Sequence, residues 1–356
     1  MIEHLDKTGE ILGIVLILFV LIYLLVLFIL MIRFLEQTRK MVERNFVLRW
    51  EVRIFDYLST DKTPGDVIKL FNRYGYKNIL PFLRNYLLTL KGADKDKLMK
   101  LITDTELFKY IYGKLKSRNK KKIVFGAYYL GLAKSEGAVK ELRNKLKYND
   151  EQVFVTCAMS LARINAVEAL DDIFTGIEKY KGLTRDTFLS ILLAYDDRVC
   201  DNLTKRVEVE TSTKIISIII TTLRHFKYLA AAPTIMEILS KETNKEQIIE
   251  ILKYLGDVEY IDASKELEFF LQSPDPDIKT EAIRAVQKIG DTRLEDNIWE
   301  LIKDENRNVK VSAADAMYDI SDKSREKLKN IENTMPDSLE SSIAKMIIEE
   351  RAIQAS

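Results

Sequence analysis

Hydrophobic and polar positions alternate along the chain in a pattern that repeats most clearly between Pro274 and Lys323. When Ile278 is set on Val309, the two halves of this stretch align without a gap, at a period of 31 residues. Each half opens with a polar turn and continues with apolar residues at i, i+4, i+5, i+7, i+8 and i+11, which is the spacing of one helix face. A fixed period of about 30 to 47 residues built from helix pairs predicts an α-solenoid.

The same pattern extends towards the N-terminus. Shifts close to multiples of 31 residues place apolar residues on those of the Pro274 segment. One segment departs, because Ile248 and Gly256 align only with a shift of 34, which predicts three extra residues before its second helix. A helix from Pro336 to Ile353 closes the array. Seven helix pairs are predicted to start near Lys122, Val153, Thr184, Ile215, Asn244, Ile278 and Val309.

The N-terminal part has a different pattern, with no charged residue from Ile11 to Ile32. A helix of this length is about 33 Å long, enough to cross a bilayer core of about 30 Å. The ten residues before it are slightly acidic and lack the basic leader of a secretory signal peptide. This stretch therefore predicts one transmembrane helix.

Basic residues follow the apolar stretch, whereas only Lys7 precedes it. This asymmetry predicts a single-pass protein of the cell (inner) membrane with the N-terminus outside and the large domain in the cytoplasm. Arg39, Lys40 and Arg44 are placed to contact anionic headgroups. The alternative is a solvated connector that only satisfies the charge asymmetry.

Composition limits the chemistry that the chain can perform. The net charge is only +1 although 31% of residues are charged, which disfavours nucleic-acid binding as the main function. The two histidines, His4 and His225, are predicted on opposite sides of the membrane, so a histidine-based metal site or triad is excluded. Cys157 and Cys200 fall on interior positions of the repeat and are interpreted as buried thiols. We expect no cofactor, no small-molecule ligand and no catalytic activity.

Two features are candidates for partner or membrane-surface contacts. Trp299 lies on a predicted second helix, where an exposed Trp would suit an interface and a buried Trp would fill the core. A run of basic side chains precedes the repeats, and it is either a contact surface or an exposed loop. The run consists of Lys114, Lys116, Arg118, Lys120, Lys121 and Lys122.

The repeated segment resembles HEAT repeats, specifically the short bacterial variety of the phycobilisome-lyase type, with a consensus of roughly D-x-x-V-R-x-x-A-A-x-A-L-G-x-I-G-D. Lys279 and Lys310 stand where that consensus has Arg, and Gln287 stands where it has Gly. The resemblance implies an all-α fold, a right-handed α-solenoid of HEAT-like helix pairs preceded by one transmembrane helix. It also implies a protein partner on the concave face, which the second helices would line.

The predicted organisation has six parts. Residues 61–121 fit the repeat loosely, so they are interpreted as a cap or, alternatively, as a small docking domain. The parts are an extracytoplasmic leader (1–10), the transmembrane helix (11–32), a basic juxtamembrane connector (33–60), an atypical helical cap (61–121), HEAT-like repeats (122–335) and a C-terminal capping helix (336–356).

We therefore predict a membrane-anchored scaffold or adaptor that binds a protein at the cytoplasmic face of a bacterial membrane. Usage rich in Lys, Ile and Asn is typical of a bacterium of low genomic G+C. One alternative is an accessory subunit of a membrane-bound enzyme complex, for example one for envelope polysaccharide. Another is a bilin-lyase-like enzyme, which the resemblance brings in but the membrane segment disfavours.

Overall fold

The computed structural model describes residues 2–60, 63–71, 75–180 and 182–355. In these ranges the chain is helical and contains no strand, as predicted for an all-α fold. It divides into two compact units, unit 1 up to Ile111 and unit 2 from Tyr112. Unit 1 contains α1 (Ile2–Ser59), α2 (Pro64–Phe71), α3 (Tyr76–Thr89), α4 (Gly92–Thr103) and the first part of α5 (Glu106–Leu115), within which the division falls.

Helix α1 joins the predicted leader, span and connector in one uninterrupted helix. Its side chains from Phe19 to Thr38 are all exposed, and this segment is long and apolar enough to cross a membrane. A signal sequence near an N-terminus would meet the same criterion of length and composition. The side chains of residues 2–18 and 39–49 lie outside the described residues, so only residues 19–32 of the predicted span can be assessed.

The last turns of α1 belong to the core of unit 1. Trp50, Ile54, Tyr57 and Leu58 are buried there. The Tyr57 hydroxyl donates to the carbonyl oxygen of Lys97 at 3.0 Å, and the Lys97 ammonium donates to the carbonyl oxygen of Leu58 at 2.8 Å. Four apolar side chains of the predicted connector, residues 33–60, therefore pack inside unit 1.

Unit 2 is a stack of seven helix pairs. Two further helices, α20 (Ile331–Thr334) and α21 (Leu339–Ala355), follow the last pair. The first helices of the pairs are α6 (Lys120–Leu132), α8 (Glu151–Ile164), α10 (Arg185–Leu192), α12 (Thr213–His225), α14 (Lys245–Asp257), α16 (Pro276–Ile289) and α18 (Arg307–Ile320). The second helices are α7 (Val139–Leu146), α9 (Leu170–Lys179), α11 (Cys200–Val209), α13 (Ala232–Leu239), α15 (Ser264–Leu271), α17 (Glu295–Leu301) and α19 (Asp322–Lys329).

Polar turns set the starts of the first helices, which lie within about two residues of the predicted positions. A side-chain oxygen of the capping residue accepts a hydrogen bond from a free backbone N–H of the first turn, which stabilises a helix N-terminus. Such caps are formed by Asn119, Asp150, Thr184, Asn244, Asp275 and Asn306. Ala282 and Ala313, aligned as equivalent interior positions, are both fully buried.

The fifth pair follows the common period, contrary to its predicted shift of 34 residues. Glu259 and Gly290 both adopt positive φ just after their first helices, and they are 31 residues apart. Asn244 and Asp275, which cap the same two helices, have the same separation. Gly256 therefore corresponds to Gln287 in the next pair, so the alignment of Gly256 with Gly290 was wrong.

Gly256 allows two successive first helices to approach closely. A Cβ atom at this position would lie 2.9 Å from the Cα of Ala285 on α16, closer than packed atoms allow. Gly131 has the same role on α6, where a Cβ would lie 2.6 Å from the Cβ of Ser160 on α8. The first helices thus pack backbone against backbone at these glycines.

We expect Gly256→Ala to lower the free energy of unfolding by about 1–3 kcal/mol, because the new methyl group collides with the backbone of α16. Gly113→Ala is the matched control. Gly113 lies in helix α5, and a Cβ there would meet no atom within 4 Å. The control should stabilise the protein by up to about 1 kcal/mol, since Ala favours helix over Gly. Chemical denaturation of both variants measures the difference, and equal effects would contradict the close approach.

Candidate functional site

Three predicted contact residues, Arg39, Lys40 and Arg44, lie on α1. Their side chains are outside the described residues, so their headgroup contacts stay a prediction.

The predicted basic run forms the end of α5, a turn and the start of α6, and we name residues 114–122 the basic turn. Its side chains at Lys116, Arg118, Lys121 and Lys122 are exposed. Lys120 forms an ion pair with Asp150 at 2.7 Å. The structure therefore brings most of this run to the surface in one turn between two helices.

Hydrogen bonds from α7 and the turn that follows it hold the basic turn in place. The Lys145 ammonium donates to the carbonyl oxygen of Ser117 at 3.2 Å, and the Tyr148 hydroxyl donates to that of Arg118 at 3.0 Å. Asn119 caps α6 from within the turn. Lys147 is also exposed next to Tyr148. The charges of the basic turn are thus presented on a fixed backbone.

Trp299 is half-buried on α17. The Lys327 ammonium of α19 lies 4.5 Å from the centroid of its indole ring, within the range of a cation–π interaction. Lys327 also pairs with Asp296 at 3.3 Å. The indole therefore links neighbouring second helices, and its role as a partner contact stays a prediction.

A groove that the sequence pattern did not predict lies on the first helices near the C-terminal end of the array. Two adjoining depressions of about 440 and 330 Å³ share Arg284, Val311 and Ser312. We name them together the first-helix groove. It extends from Ile249 on α14 across α16 and α18 to Arg351 on α21. The groove therefore crosses four successive helices of the stack.

Both charge signs line the first-helix groove. Glu281 is buried in its wall and lies 3.5 Å from the guanidinium of Arg284, while Asp277 pairs with Lys245 at 2.6 Å. Arg307 is exposed in the first turn of α18 and makes no ion pair within the described part of the chain. This guanidinium is a fork of hydrogen-bond donors open to a ligand.

The other end of the groove is held by a polar network. Arg351 of α21 pairs with Asp315 at 2.7 Å and with Asp319 at 2.8 Å. The side-chain amide of Gln287 donates to the same two carboxylates, at 3.0 and 2.8 Å. The network joins α16, α18 and α21, so its side chains hold the groove wall in place. Because they are hydrogen-bonded to one another, they are less available to bind a partner.

The resemblance had placed the partner site on the second helices. A depression of about 460 Å³ does lie there, between Lys140 and Arg143 of α7 and Asp172 of α9. Its wall is closed in part by the Arg143–Asp172 ion pair at 2.7 Å. The first-helix groove crosses four helices and contains the guanidinium of Arg307, which is unpaired among the described residues. Helical periodicity marks Arg284 and Arg307 as outside the apolar stripe, and this is the only sequence signal for the groove.

The two thiols are poorly placed to react. Cys157 and Cys200 are fully buried, and desolvation by burial raises the pKa of both thiols to about 12. A thiol in such surroundings is a poor nucleophile at neutral pH. His225 is exposed at the end of α12, and His4 lies outside the described side chains. The described residues contain no group of three or more His, Cys, Asp or Glu arranged to hold a metal ion.

No protein-family description and no curated protein matches this chain. Solved structures similar to it include Kap121p, at 10% identity and a TM-score of 0.47, and yeast importin-β (Kap95p), at 12% and 0.45. These matches cover 79% and 77% of this chain but only 38% and 43% of the others, so it spans less than half of their length. The CpcE–CpcF complex of phycocyanin lyase from Nostoc is similar at 14% identity and a TM-score of 0.28, covering 68% of this chain and 93% of that one. Because every one of these TM-scores is below 0.5, we draw no function from the similarities.

Proposed function

We propose that the chain is a membrane-anchored scaffold without catalytic activity of its own. In this proposal α1 crosses the cell membrane of a bacterium once, with the N-terminus outside and the helix-pair array in the cytoplasm. Sixteen exposed apolar side chains between Phe19 and Leu35 support the span, since they would otherwise face water. The basic residues that follow support the orientation.

The partner that we propose is an extended segment of another protein, bound in the first-helix groove. The half-exposed apolar side chains of Ile249 and Val311 line the same groove as the exposed guanidinium of Arg307. This combination is the observation that carries the proposal. An apolar contact flanked by a few directional donors is typical of a peptide-binding surface. We expect the segment to place a carboxylate or backbone carbonyl at Arg307.

Charge reversal at the groove should abolish capture of this partner. We would introduce Arg307→Glu with Asn308→Glu, both exposed in the first turn of α18, where acidic side chains favour the helix N-terminus. The full chain would be purified from membranes through a C-terminal tag. Proteins that co-purify with the unaltered chain should fall by at least about tenfold, as expected for loss of a charged hydrogen bond at a hot spot.

The matched control is Lys241→Glu with Thr243→Glu, which changes the net charge equally at exposed positions before α14. It should retain the co-purifying proteins. If the groove variant keeps the same proteins as the control, the first-helix groove is not the partner site. Recovery of the chain in the soluble fraction would instead contradict the membrane anchor.

A further inference from the structure

Charge is segregated along unit 2, although the net charge of the whole chain is only +1. Residues 112–150, which contain the basic turn and the first helix pair, have eleven Lys and Arg against three Asp and Glu. Residues 151–320, which contain the other six first helices, have 21 Lys and Arg against 31 Asp and Glu. Unit 2 is therefore strongly basic at its N-terminal end and acidic over the rest of the stack.

The positive charge at this end is available to a partner. Five cations of the basic turn are exposed, one of them paired with Asp150, and so are Lys140 and Lys147 of the same helix pair. The backbone of the turn is fixed by Lys145 and Tyr148, so its charges remain clustered. In the acidic repeats, by contrast, most basic side chains of the first helices are paired, as Lys288 is with Asp257 at 2.6 Å.

We propose that the basic turn binds anionic phospholipid headgroups, an inference that rests on the proposed membrane anchor. Lys is a compact point charge suited to a diffuse anionic surface, and five of the six cations of the run are Lys. Anchoring of the chain also raises the effective concentration of this turn at the bilayer.

A nucleic acid fits this surface less well. A strand laid along the stack would meet the net negative charge of residues 151–320. Proteins that bind single strands also present aromatic side chains for base stacking. Beside the turn, the ring of Tyr112 is covered by Lys116, whose ammonium lies 4.7 Å from the ring centroid, and Tyr148 is engaged by its hydrogen bond to Arg118.

Headgroup binding at one end would orient unit 2 at the membrane. The acidic repeats are repelled by the same anionic surface that attracts the basic turn. The first-helix groove begins four first helices further along the stack, from α6 to α14. At about 8–10 Å per helix this is roughly 30–40 Å of stack, so the groove would be held away from the bilayer and open to its partner.

The test places a fluorescent label on the basic turn of the full chain. Lys121→Cys accepts the label selectively, because Cys157 and Cys200 are fully buried. The chain is inserted in lipid nanodiscs of phosphatidylcholine, with or without phosphatidylglycerol, that contain a headgroup-nitroxide quencher. We expect quenching only with phosphatidylglycerol. It should be lost in 1 M salt, where the Debye length falls from about 10 Å at 0.1 M to about 3 Å.

Lys116→Glu, Arg118→Glu and Lys122→Glu together should reduce the quenching by at least about threefold. The charge-matched control combines Lys241→Glu, Lys265→Glu and Lys323→Glu, all exposed in other parts of unit 2, and should leave quenching unchanged. A label at Lys329→Cys, on α19, should not be quenched in either disc. Two outcomes would overturn the proposal. One is equal quenching with and without phosphatidylglycerol, and the other is unchanged quenching in the triple charge-reversal variant of the basic turn.

Two further readouts separate this inference from the proposed function. Co-elution of the chain with the discs reports the anchor, so absent quenching with normal co-elution refutes only headgroup binding. If the chain does not enter discs, the anchor is wrong, and the same label is read with phosphatidylglycerol vesicles added from outside. A response of the label to RNA or polyglutamate, with none to phosphatidylglycerol, would assign the turn to that class of partner instead.

Discussion

Replacing Ala282 with Asp should divide the thermal unfolding of unit 2 into two steps and lower its stability by several kcal/mol. Ala282 is fully buried on α16, the first helix of the sixth pair. An unpaired carboxylate at such a position must be desolvated or protonated, and either penalty is a large part of the stability of a typical domain. In a helix-pair stack each pair contacts mainly its neighbours, so an internal lesion uncouples the parts on either side. Differential scanning calorimetry of the full chain measures both effects.

The control for this variant introduces the same side chain at an exposed site. Lys265→Asp lies in the first turn of α15, where an acidic residue is favourable, and should change the free energy of unfolding by no more than about 0.5 kcal/mol. Lys288 is unsuitable, although it is exposed on the outer side of α16, because it pairs with Asp257 at 2.6 Å. Identical melting of the Ala282 and Lys265 variants would contradict the interior position of Ala282.

The first helices could be predicted because two independent signals agree at their starts. A polar residue that can cap the helix stands directly before an apolar stripe, as Asp275 does before Ile278. Burial of Ala282 and Ala313 follows from the same stripe. Both signals are local in sequence, which is why a single sequence suffices to locate these helices.

The fifth pair was misaligned because glycine has two structural roles in these helix pairs. It can end a helix in the left-handed conformation, or it can allow two helices to approach closely. Glycine commonly ends a helix in the left-handed conformation, and Gly290 does so with φ 70°. Gly256 precedes an aspartate in the same way, but it permits the close approach of Ala285. The left-handed residue of its pair is Glu259, a side chain that rarely adopts positive φ. In this pair the glycine therefore stands three residues before the residue that adopts the left-handed conformation.

The first-helix groove could not be predicted, because it depends on neighbours in space. Helical periodicity shows that Arg284 and Arg307 face away from the core, but Arg284 lies 3.5 Å from an acidic group and Arg307 pairs with none in the described chain. That difference arises from the packing of α14, α16, α18 and α21. The basic turn, in contrast, was visible as a run of like charges, and the structure adds its exposure and its fixed backbone.

The last turns of α1 were assigned to a connector for a related reason. An apolar residue in a basic helix next to a membrane suggests contact with lipid, and nothing local distinguishes that from packing in a domain. The contacts that decide it are distant in sequence, such as the hydrogen bond from Tyr86 to Glu51 at 2.8 Å. The edge of Phe55 also meets Tyr86, with ring centroids 6.2 Å apart.

A fragment of residues 61–356 should therefore aggregate or unfold in unit 1, whereas residues 46–356 should form a soluble monomer. Both omit the apolar segment Phe19–Thr38, but only the longer fragment keeps Trp50, Ile54, Tyr57 and Leu58. Each buried side chain of this size contributes about 1.5–3 kcal/mol, so losing four removes roughly 6–12 kcal/mol, comparable with the whole stability of a domain. Light scattering after size exclusion and calorimetry compare the two fragments. Within the longer one, Trp50→Ala should destabilise unit 1 strongly while Val52→Ala, at a side chain that is 69% exposed, should have little effect. Equal melting of the two fragments would mean that α1 contributes nothing to the core of unit 1.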